Sequence, residues 1–248
     1  MPADERPDSR AKSGGGPPIS LWERLELPAP APRSALTPQR IATVAVGIAD
    51  AEGLDAVTMR RLATELGVAP MAAYRYVASK DELIDLMVDS VYGELAPPDP
   101  GAGWREAMRG LALDSRALLL AHPWITRTAV PALTPNQLAV PERALATLAG
   151  LGLDADAMMT VFRTVTAYVN GAVEAEITLL RLMQERGWSS GDAARTGLAP
   201  QMTWLMDTGR YPVFRAYTLE ATRKDDPQWQ FESGLDCVLD GIAARMGI

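Results

Sequence analysis

Aromatic, basic and small side chains lie together in one short segment, residues 70–76. Arg75 carries a guanidinium group, and Tyr74 and Tyr76 add hydroxyl donors and flat apolar surface. The small side chains of Ala72 and Ala73 let the backbone approach a neighbouring surface closely. Groups of this kind bind base edges and phosphates in a DNA groove, so the chemistry expected of this segment is nucleic-acid recognition.

Two helical patterns separated by a tight turn position these side chains. Thr58 caps the first pattern, and Gly67 ends it in a left-handed conformation that glycine adopts at little cost. The second pattern is a short helix expected over residues 70–76. Such a pair is typical of a helix-turn-helix, whose second helix enters the major groove of DNA.

One helix is predicted before this pair and another after it. Thr37 and Pro38 open the earlier helix, over residues 39–50. Ser79 and Glu82 form a capping box that starts the later helix, which continues to residue 95 and stops before two prolines.

The arrangement closely resembles the DNA-binding domain of the tetracycline-repressor (TetR) family of bacterial transcriptional regulators. In that family, the second and third helices of a three-helix domain form the helix-turn-helix. Ala69 departs from the family pattern, since a capping Ser or Thr is common there, so we expect a weakly capped third helix. The matching positions are Ile41, Ala45, Gly53, Thr58, Met59, Arg60, Arg61, Leu62, Ala63, Leu66, Gly67, Val68, Tyr74, Arg75, Tyr76, Lys80 and Leu83.

The resemblance implies DNA contacts for a set of residues in this domain. Thr58 and Lys80 would hold phosphates, and the first turn of the third helix would face the bases. The alternative for Tyr74 is packing beneath the helix, and Arg61 is expected to be a solvated charge. The DNA-contact set is Thr58, Arg60, Pro70, Met71, Ala72, Tyr74, Arg75, Tyr76 and Lys80, among which Arg60, Met71, Ala72 and Arg75 are the expected determinants of sequence preference.

The distribution of charge supports this assignment although the net charge is −7. Residues 33–80 contain six basic and four acidic side chains, whereas residues 81–248 contain 14 and 22. Local charge matters more than the total for binding DNA. The local excess of two positive charges is modest, so we expect affinity to depend on dimerisation.

The whole chain is predicted to be all-α. We expect a flexible extension at residues 1–34, a DNA-binding domain at 35–95 and a helical domain at 96–248. A helical turn is expected at residues 19–25, packed on the body of the protein or lying near DNA, and Arg33 is a candidate minor-groove arm. Further helices are expected over residues 104–119, 141–150, 155–183, 198–206 and 228–246, with a loop over 187–197.

The C-terminal half also resembles the ligand-binding and dimerisation domain of TetR-like regulators. The resemblance rests on Trp104-Arg105, the break at His122-Pro123-Trp124, the helix after Pro141, and residues 168–171. It implies an effector pocket with a few polar groups among apolar ones. Each candidate has buried core packing as its alternative, and the set is Trp124, Met158, Phe162, Tyr168, Asn170, Glu174 and Trp204.

By the same resemblance, the long helix near residues 155–183 and the last helix near 228–246 would pair with their copies in a homodimer. The apolar stripe Phe231, Leu235, Val238 and Ile242 suits that interface. A stripe within the chain's own core is the alternative. His122 is the single histidine and lies in a helix break, so a tetracycline–magnesium ligand is not expected.

Catalytic, metal and membrane functions find no sequence support. One cysteine and one histidine cannot form a disulfide or, by themselves, a zinc site. Glu174 and Glu176 are two residues apart on a helix, so they point to different faces and cannot act as paired acid and base. No run approaches ~18 apolar residues, the length of a membrane span. We therefore expect a cytoplasmic protein with no enzymatic activity, no cofactor and no bound metal.

The sequence thus predicts a homodimeric repressor whose two recognition helices bind a near-palindromic double-stranded DNA operator. A small apolar effector would bind the C-terminal domain and release the operator, with the fourth helix, residues 81–95, as the lever. The alternatives are an activator or ligand-independent regulator on the same fold, or a helical enzyme or partner-binding protein without specific DNA binding.

Overall fold

The computed structural model describes residues 20–26, 36–98, 101–128 and 133–248, and all regular structure in these ranges is helical. The chain divides into two units, residues 1–36 and 37–248. No helix in the described ranges is long and apolar enough to cross a membrane.

The first unit contains a short helix, α1, at Leu21–Glu26. Ser20 and Glu23 form a reciprocal cap: the Ser20 N–H donates to the Glu23 carboxylate at 2.8 Å, and the Glu23 N–H donates to Ser20 Oγ at 3.2 Å. The hydrogen bonds from Ser20 lower the pKa of Glu23. The rest of the extension expected at residues 1–34, including Arg33, lies outside the described residues.

The second unit begins with the helices of the DNA-binding domain. They are α2 at Pro38–Glu52, α3 at Met59–Leu66, α4 at Pro70–Ala73 and α5 at Lys80–Tyr92. A 3₁₀ turn at Leu54–Ala56 joins α2 to the loop before α3. The fully buried side chains at the centre of this domain include Ile41, Leu62, Leu83, Met87 and Val91.

Local capping explains where these helices begin and end. Thr37 accepts from the Arg40 N–H at 3.2 Å, and Thr58 accepts from the Arg61 N–H at 3.1 Å. Gly67 ends α3 with a φ of 67°, a left-handed conformation that suits glycine. Ser79 accepts from the Glu82 N–H, while the Glu82 carboxylate accepts from the Ala78 N–H. The predicted starts of α2, α3 and α5 and the predicted end of α3 are therefore confirmed, whereas α5 ends at Tyr92 and does not reach residue 95 as expected.

The C-terminal helices form the rest of the second unit, and α8 is the longest of them. A 3₁₀ turn at Pro123–Arg127 follows α6. The C-terminal helices are α6 at Trp104–Ala121, α7 at Pro135–Leu148, α8 at Ala155–Arg186, α9 at Gly191–Asp207, α10 at Pro212–Glu220 and α11 at Pro227–Met246.

Helices α7 and α9 begin earlier than the sequence patterns predicted. Thr134 caps α7 by accepting from the Gln137 N–H, so Pro141 lies inside the helix and does not start it. Ser190 caps α9 in the same way, and Pro200 lies inside that helix. The prediction of a loop over residues 187–197 is therefore wrong for most of its length.

Two further helices differ from the sequence patterns. Helix α10 at Pro212–Glu220 was not predicted. The third helix was expected to reach Tyr76, but α4 ends at Ala73. As expected for a helix that follows Ala69, α4 has no side-chain cap. A turn covers residues 74–76 instead, which changes how Tyr74, Arg75 and Tyr76 are presented.

A stripe of β-branched side chains on α8 organises the C-terminal core. Val161, Val165, Val169, Val173 and Ile177 recur every four residues and are buried, and α8 packs against α6, α7 and α11. This spacing places them on one helical face.

Helix α11 buries its own apolar stripe against these helices. Phe231, Leu235 and Ile242 are buried within the protomer, and Val238 is half-buried. The burial of the first three agrees with the alternative of a stripe within the chain's own core, and the assignment of this stripe to a dimer interface stays a prediction.

Candidate functional site

The two arginines at the start of α3 differ in their contacts. Arg60 is exposed, whereas the Arg61 guanidinium binds Glu52 at 2.9 Å and Glu65 at 3.1 Å. The Thr58 hydroxyl caps α3 and is itself exposed, so it can still donate to an anion. Arg60 is therefore accessible for contact with a base or a phosphate, whereas Arg61 is held by carboxylates at the surface.

Helix α4 and the turn after it present several exposed side chains. Met71 is 72% exposed and Tyr74 is 43% exposed, while Ala73 between them is fully buried and anchors the helix. Pro70 and Arg75 are exposed, and Ala72 is half-buried. An exposed apolar side chain beside an arginine and a tyrosine suits contact with thymine methyl groups and base edges.

Lys80 is the first residue of α5 and is exposed beside its Ser79 cap. Tyr76 is half-buried in the turn that leads to it. All nine residues expected to contact DNA are at least partly exposed, and they lie at the start of α3, on α4 with its following turn, and at the start of α5. Their role in DNA contact remains a proposal.

A cavity of about 270 Å³ lies in the C-terminal domain where α5, α6, α7 and α8 meet. Phe162 and Asn170, two of the seven candidate ligand residues, line it from α8. Its other lining residues are Tyr92, Ser115, Leu118, Leu119, Gln137, Val140, Pro141, Thr166 and Val169.

Two polar groups from different helices meet in this cavity. Burial raises the pKa of the Tyr92 phenol, and a hydrogen bond with the Gln137 side chain acts in the opposite direction. The Gln137 carbonyl oxygen is buried and meets no donor among the described residues. Buried polar atoms normally have a partner, so this oxygen is an unused acceptor beside the cavity.

The other five candidate ligand residues lie outside this lining. The buried Trp124 donates its indole N–H to Asp50 on α2 at 2.8 Å. Tyr168 donates its hydroxyl to the Phe231 carbonyl at 2.7 Å, towards α11. Met158 is half-buried elsewhere on α8, Glu174 is exposed, and Trp204 is 68% exposed on α9.

The sequence patterns did not identify Tyr92 or Gln137 as lining residues. Tyr92 is the last residue of the helix expected to act as a lever, and its size and hydroxyl were the available signal. Gln137 was placed before the expected helix start at Pro141, so its position on the inner side of α7 was missed. His122 also lies outside this lining.

A second cavity, of about 220 Å³, lies between α6, α7 and the segment after α5. Val140 lines both cavities, and Arg143 lines the second, where its guanidinium donates to the Leu95 carbonyl. No group of three metal-binding side chains occurs in the ranges that the structure describes.

Two family profiles match this chain. "Bacterial regulatory proteins, tetR family" matches residues 41–87, and "Tetracyclin repressor-like, C-terminal domain" matches residues 97–246. The two matches cover the helix-turn-helix and the helical domain with the cavity. The chain therefore belongs to the TetR family of DNA-binding transcriptional regulators, which act as dimers and respond to small molecules.

Individual relatives support this assignment over nearly the full length. The transcriptional repressor DrrR1 of Streptomyces coeruleorubidus is 33% identical over 90% of this chain and 83% of its own. An HTH-type transcriptional regulator of Saccharopolyspora erythraea is 30% identical over 97% of this chain and 98% of its own. The crystal structure of Streptomyces coelicolor ActR with actinorhodin matches with a TM-score of 0.69 and 29% identity, covering 85% of this chain and 97% of that one.

Proposed function

We propose that this protein represses transcription from a near-palindromic operator and releases it when an apolar, hydrogen-bonding small molecule binds between α5, α6, α7 and α8. The observation that carries the proposal is the position of α5. Lys80 at its first residue lies in the candidate DNA surface, and Tyr92 at its last residue lines the cavity. Its 13 residues span about 20 Å, so one rigid element connects the two sites.

The packing of α5 makes it suitable for transmitting a movement. Leu83, Met87, Val88 and Val91 are buried, and α5 packs against α2 in the DNA-binding domain and against α7 beside the cavity. Asn136 on α7 also binds Asp89 on α5, through its backbone N–H at 2.7 Å and its side-chain amide. A ligand that displaces α7 or the end of α5 would therefore rotate the DNA-binding domain.

The walls of the cavity favour an aromatic effector with a hydrogen-bond donor. Phe162 and Tyr92 offer aromatic surface, aliphatic side chains form much of the rest, and the Gln137 oxygen accepts a donor. ActR, which resembles this chain, was crystallised with actinorhodin. An aromatic compound with a hydrogen-bond donor is the proposed effector class, and actinorhodin is the compound with which to test it.

The dimer contact is proposed for the outer surfaces of α9 and α10. Helix α9 has a single buried side chain, Ala194, and α10 has none. Covering exposed apolar surface favours association, and a second copy of this chain is the proposed cover. The exposed apolar side chains on these two helices are Leu198, Trp204, Val213, Phe214, Tyr217 and Leu219.

Light scattering of matched variants tests the dimer contact. Leu219→Glu on α10 should weaken dimerisation, whereas Leu138→Glu on α7, which is similarly exposed, should not. Equal oligomeric states for both variants would place the interface elsewhere, including the pairing of α8 and α11 with their copies that the sequence suggested.

Operator release tests the induction mechanism. A duplex selected by the full-length protein is labelled, bound and titrated with actinorhodin, and fluorescence anisotropy should fall as the operator dissociates. A closely related compound without hydroxyl donors should act more weakly, because it leaves the Gln137 oxygen unpaired. Retention of the operator at concentrations at which actinorhodin is bound would favour a ligand-independent regulator.

A further inference from the structure

A side-chain cluster joins the DNA-binding domain to the segment after α6, away from the ligand cavity. Asp50, near the end of α2, accepts two hydrogen bonds on the same oxygen, Oδ1. His122 donates from Nδ1 at 2.8 Å, and Trp124 donates from Nε1 at 2.8 Å. We call these three residues the Asp50 clasp.

The carboxylate fixes the tautomer of the histidine. Ionised Asp50 can only accept, so the His122 proton in the neutral ring lies on Nδ1, and Nε2 carries a lone pair. That Nε2 faces the Glu94 carboxylate at 3.7 Å, just beyond the end of α5. In the neutral ring a lone pair therefore faces a negative charge, whereas a protonated ring would donate towards two carboxylates.

The charged groups around His122 come from four elements. Asp50 belongs to α2, Glu94 follows α5, and Asp114 on α6 lines the same shallow cavity as His122 and Glu94. Arg127 lies on the same 3₁₀ turn as Trp124. Its guanidinium forms an ion pair with Asp55 at 3.3 Å, which is a different carboxylate from those that face His122. The charged groups closest to His122 are therefore mostly carboxylates.

We infer that the Asp50 clasp positions the DNA-binding domain and makes operator binding sensitive to pH through His122. Protonated His122 binds Asp50 on α2 and Glu94 after α5 more strongly, so the DNA-binding domain moves less relative to the 3₁₀ turn. A domain that is already restricted loses less conformational entropy when it binds the operator. Operator affinity then rises as pH falls. The inference rests on the proposed function, because it concerns the same release of DNA, and Asp50 and His122 act as positioning residues.

The composition of the chain makes this inference unusually testable. His122 is the single histidine in the full sequence, and histidine is the side chain whose charge ordinarily changes between pH 5 and 8. Asp55 provides a matched control, because it is a carboxylate of the same domain that contacts the same turn through Arg127 but neither His122 nor Trp124.

The experiment measures the dissociation constant of a selected operator duplex by anisotropy between about pH 5.5 and pH 8 at constant ionic strength. Wild type and Asp55→Asn should bind about fivefold or more tightly at the acidic end. Asp50→Asn keeps an acceptor for Trp124 and removes the charge, so it should retain affinity at pH 8 and lose the rise. A flat profile for wild type, or an unchanged rise in Asp50→Asn, would overturn the inference.

A second measurement examines the clasp without DNA. The ¹⁵N spectrum of the single histidine at pH 8 shows which ring nitrogen carries the proton, and the clasp requires Nδ1. A proton on Nε2 would overturn the inference even if the operator is bound. Absence of any bound duplex, together with a proton on Nδ1, would instead contradict the proposed function and the pH-dependent operator binding that rests on it.

Discussion

Arg116 on α6 binds both carboxylate oxygens of Glu176 on α8, with Nη2 at 2.8 Å and 3.0 Å from them. The two side chains are only 11% and 21% exposed. The same guanidinium donates to Gln228 at 2.7 Å and lies over the Phe231 ring of α11. One cation therefore ties together α6, α8 and α11.

Removing one partner of this pair should destabilise the protein strongly. Glu176→Gln leaves the Arg116 charge without its carboxylate in a poorly solvated position, and the free energy of unfolding should fall by about 3 kcal/mol. Urea denaturation measures this loss, provided that the slope of the free energy of unfolding against urea concentration is unchanged. Arg105→Ala, which breaks the exposed pair with Asp240, should cost less than about 1 kcal/mol, and equal losses would contradict the account.

The contact between α8 and α11 depends on a glycine. A Cβ at position 234 would collide with the Tyr168 hydroxyl and lie 2.9 Å from Cζ of that ring. Gly234→Ala should therefore lower the free energy of unfolding by about 1–3 kcal/mol. Gly241→Ala on the same helix meets open space and should be neutral or slightly stabilising. Thermal unfolding that did not distinguish these variants would contradict the close approach.

Arg60 and Lys80 should make different contributions to DNA binding. Arg60→Ala should weaken binding to the selected operator by about 1–3 kcal/mol and relax its sequence preference. Lys80→Ala should weaken binding to all duplexes alike. It should also reduce the slope of log affinity against log salt concentration by about one, the contribution of one phosphate contact. Arg61→Ala serves as the control, because Glu52 and Glu65 already hold that side chain. Equal effects of the first two substitutions across operator and random duplexes would contradict these roles.

Filling the cavity should impair the effector response without impairing DNA binding. Phe162→Trp places a larger side chain in the wall of a cavity of about 270 Å³ and so reduces the space left for a ligand. It should weaken actinorhodin-driven release by about 1–3 kcal/mol. Glu174→Gln, on the exposed side of the same helix, should respond as wild type does. The induction mechanism fails if Phe162→Trp leaves the titration of the operator complex unchanged.

At pH 7 the protein with Asp85 on α5 should be less stable than a variant with an uncharged side chain at that position. Burial raises its pKa, and the charges of Asp81 and Glu82 act in the same direction. A carboxyl whose pKa is raised in the folded state destabilises that state when ionised, and the effect disappears as pH falls through its ordinary value of 3.8. Asp85→Asn should gain about 0.2–0.5 kcal/mol in urea denaturation at pH 7 and less near pH 4. An equal gain at both pH values would contradict this cause.

Local signals predicted the DNA-binding domain well. The caps at Thr58 and Ser79 and the left-handed Gly67 determine helix ends within a few residues of sequence, so they can be recognised without tertiary information. Two other local signals misled. Pro141 suggested the start of a helix but lies inside α7, which begins after its cap Thr134. The glycines and serines of residues 187–197 suggested a loop, but Ser190 caps α9 within that stretch.

Features made by several helices could not be predicted from one pattern. The cavity takes Tyr92 from α5, Gln137 from α7 and Phe162 from α8, and only their packing shows that these side chains meet. An apolar stripe such as that of Phe231 and Leu235 looks the same whether another helix of the chain or a second copy covers it. Both residues are buried in the protomer, on a helix that packs against α6 and α8, and the sequence pattern alone does not show this.

The most direct test of the account is selection of the purified full-length protein against a random duplex library, with the bound DNA sequenced. A dimer with one recognition helix per subunit should recover a near-palindromic consensus, with half-sites about one helical turn apart or a multiple of it. Recovery of no consensus at low salt by a folded dimer would contradict sequence-specific repression and favour a partner-binding or ligand-sequestering role.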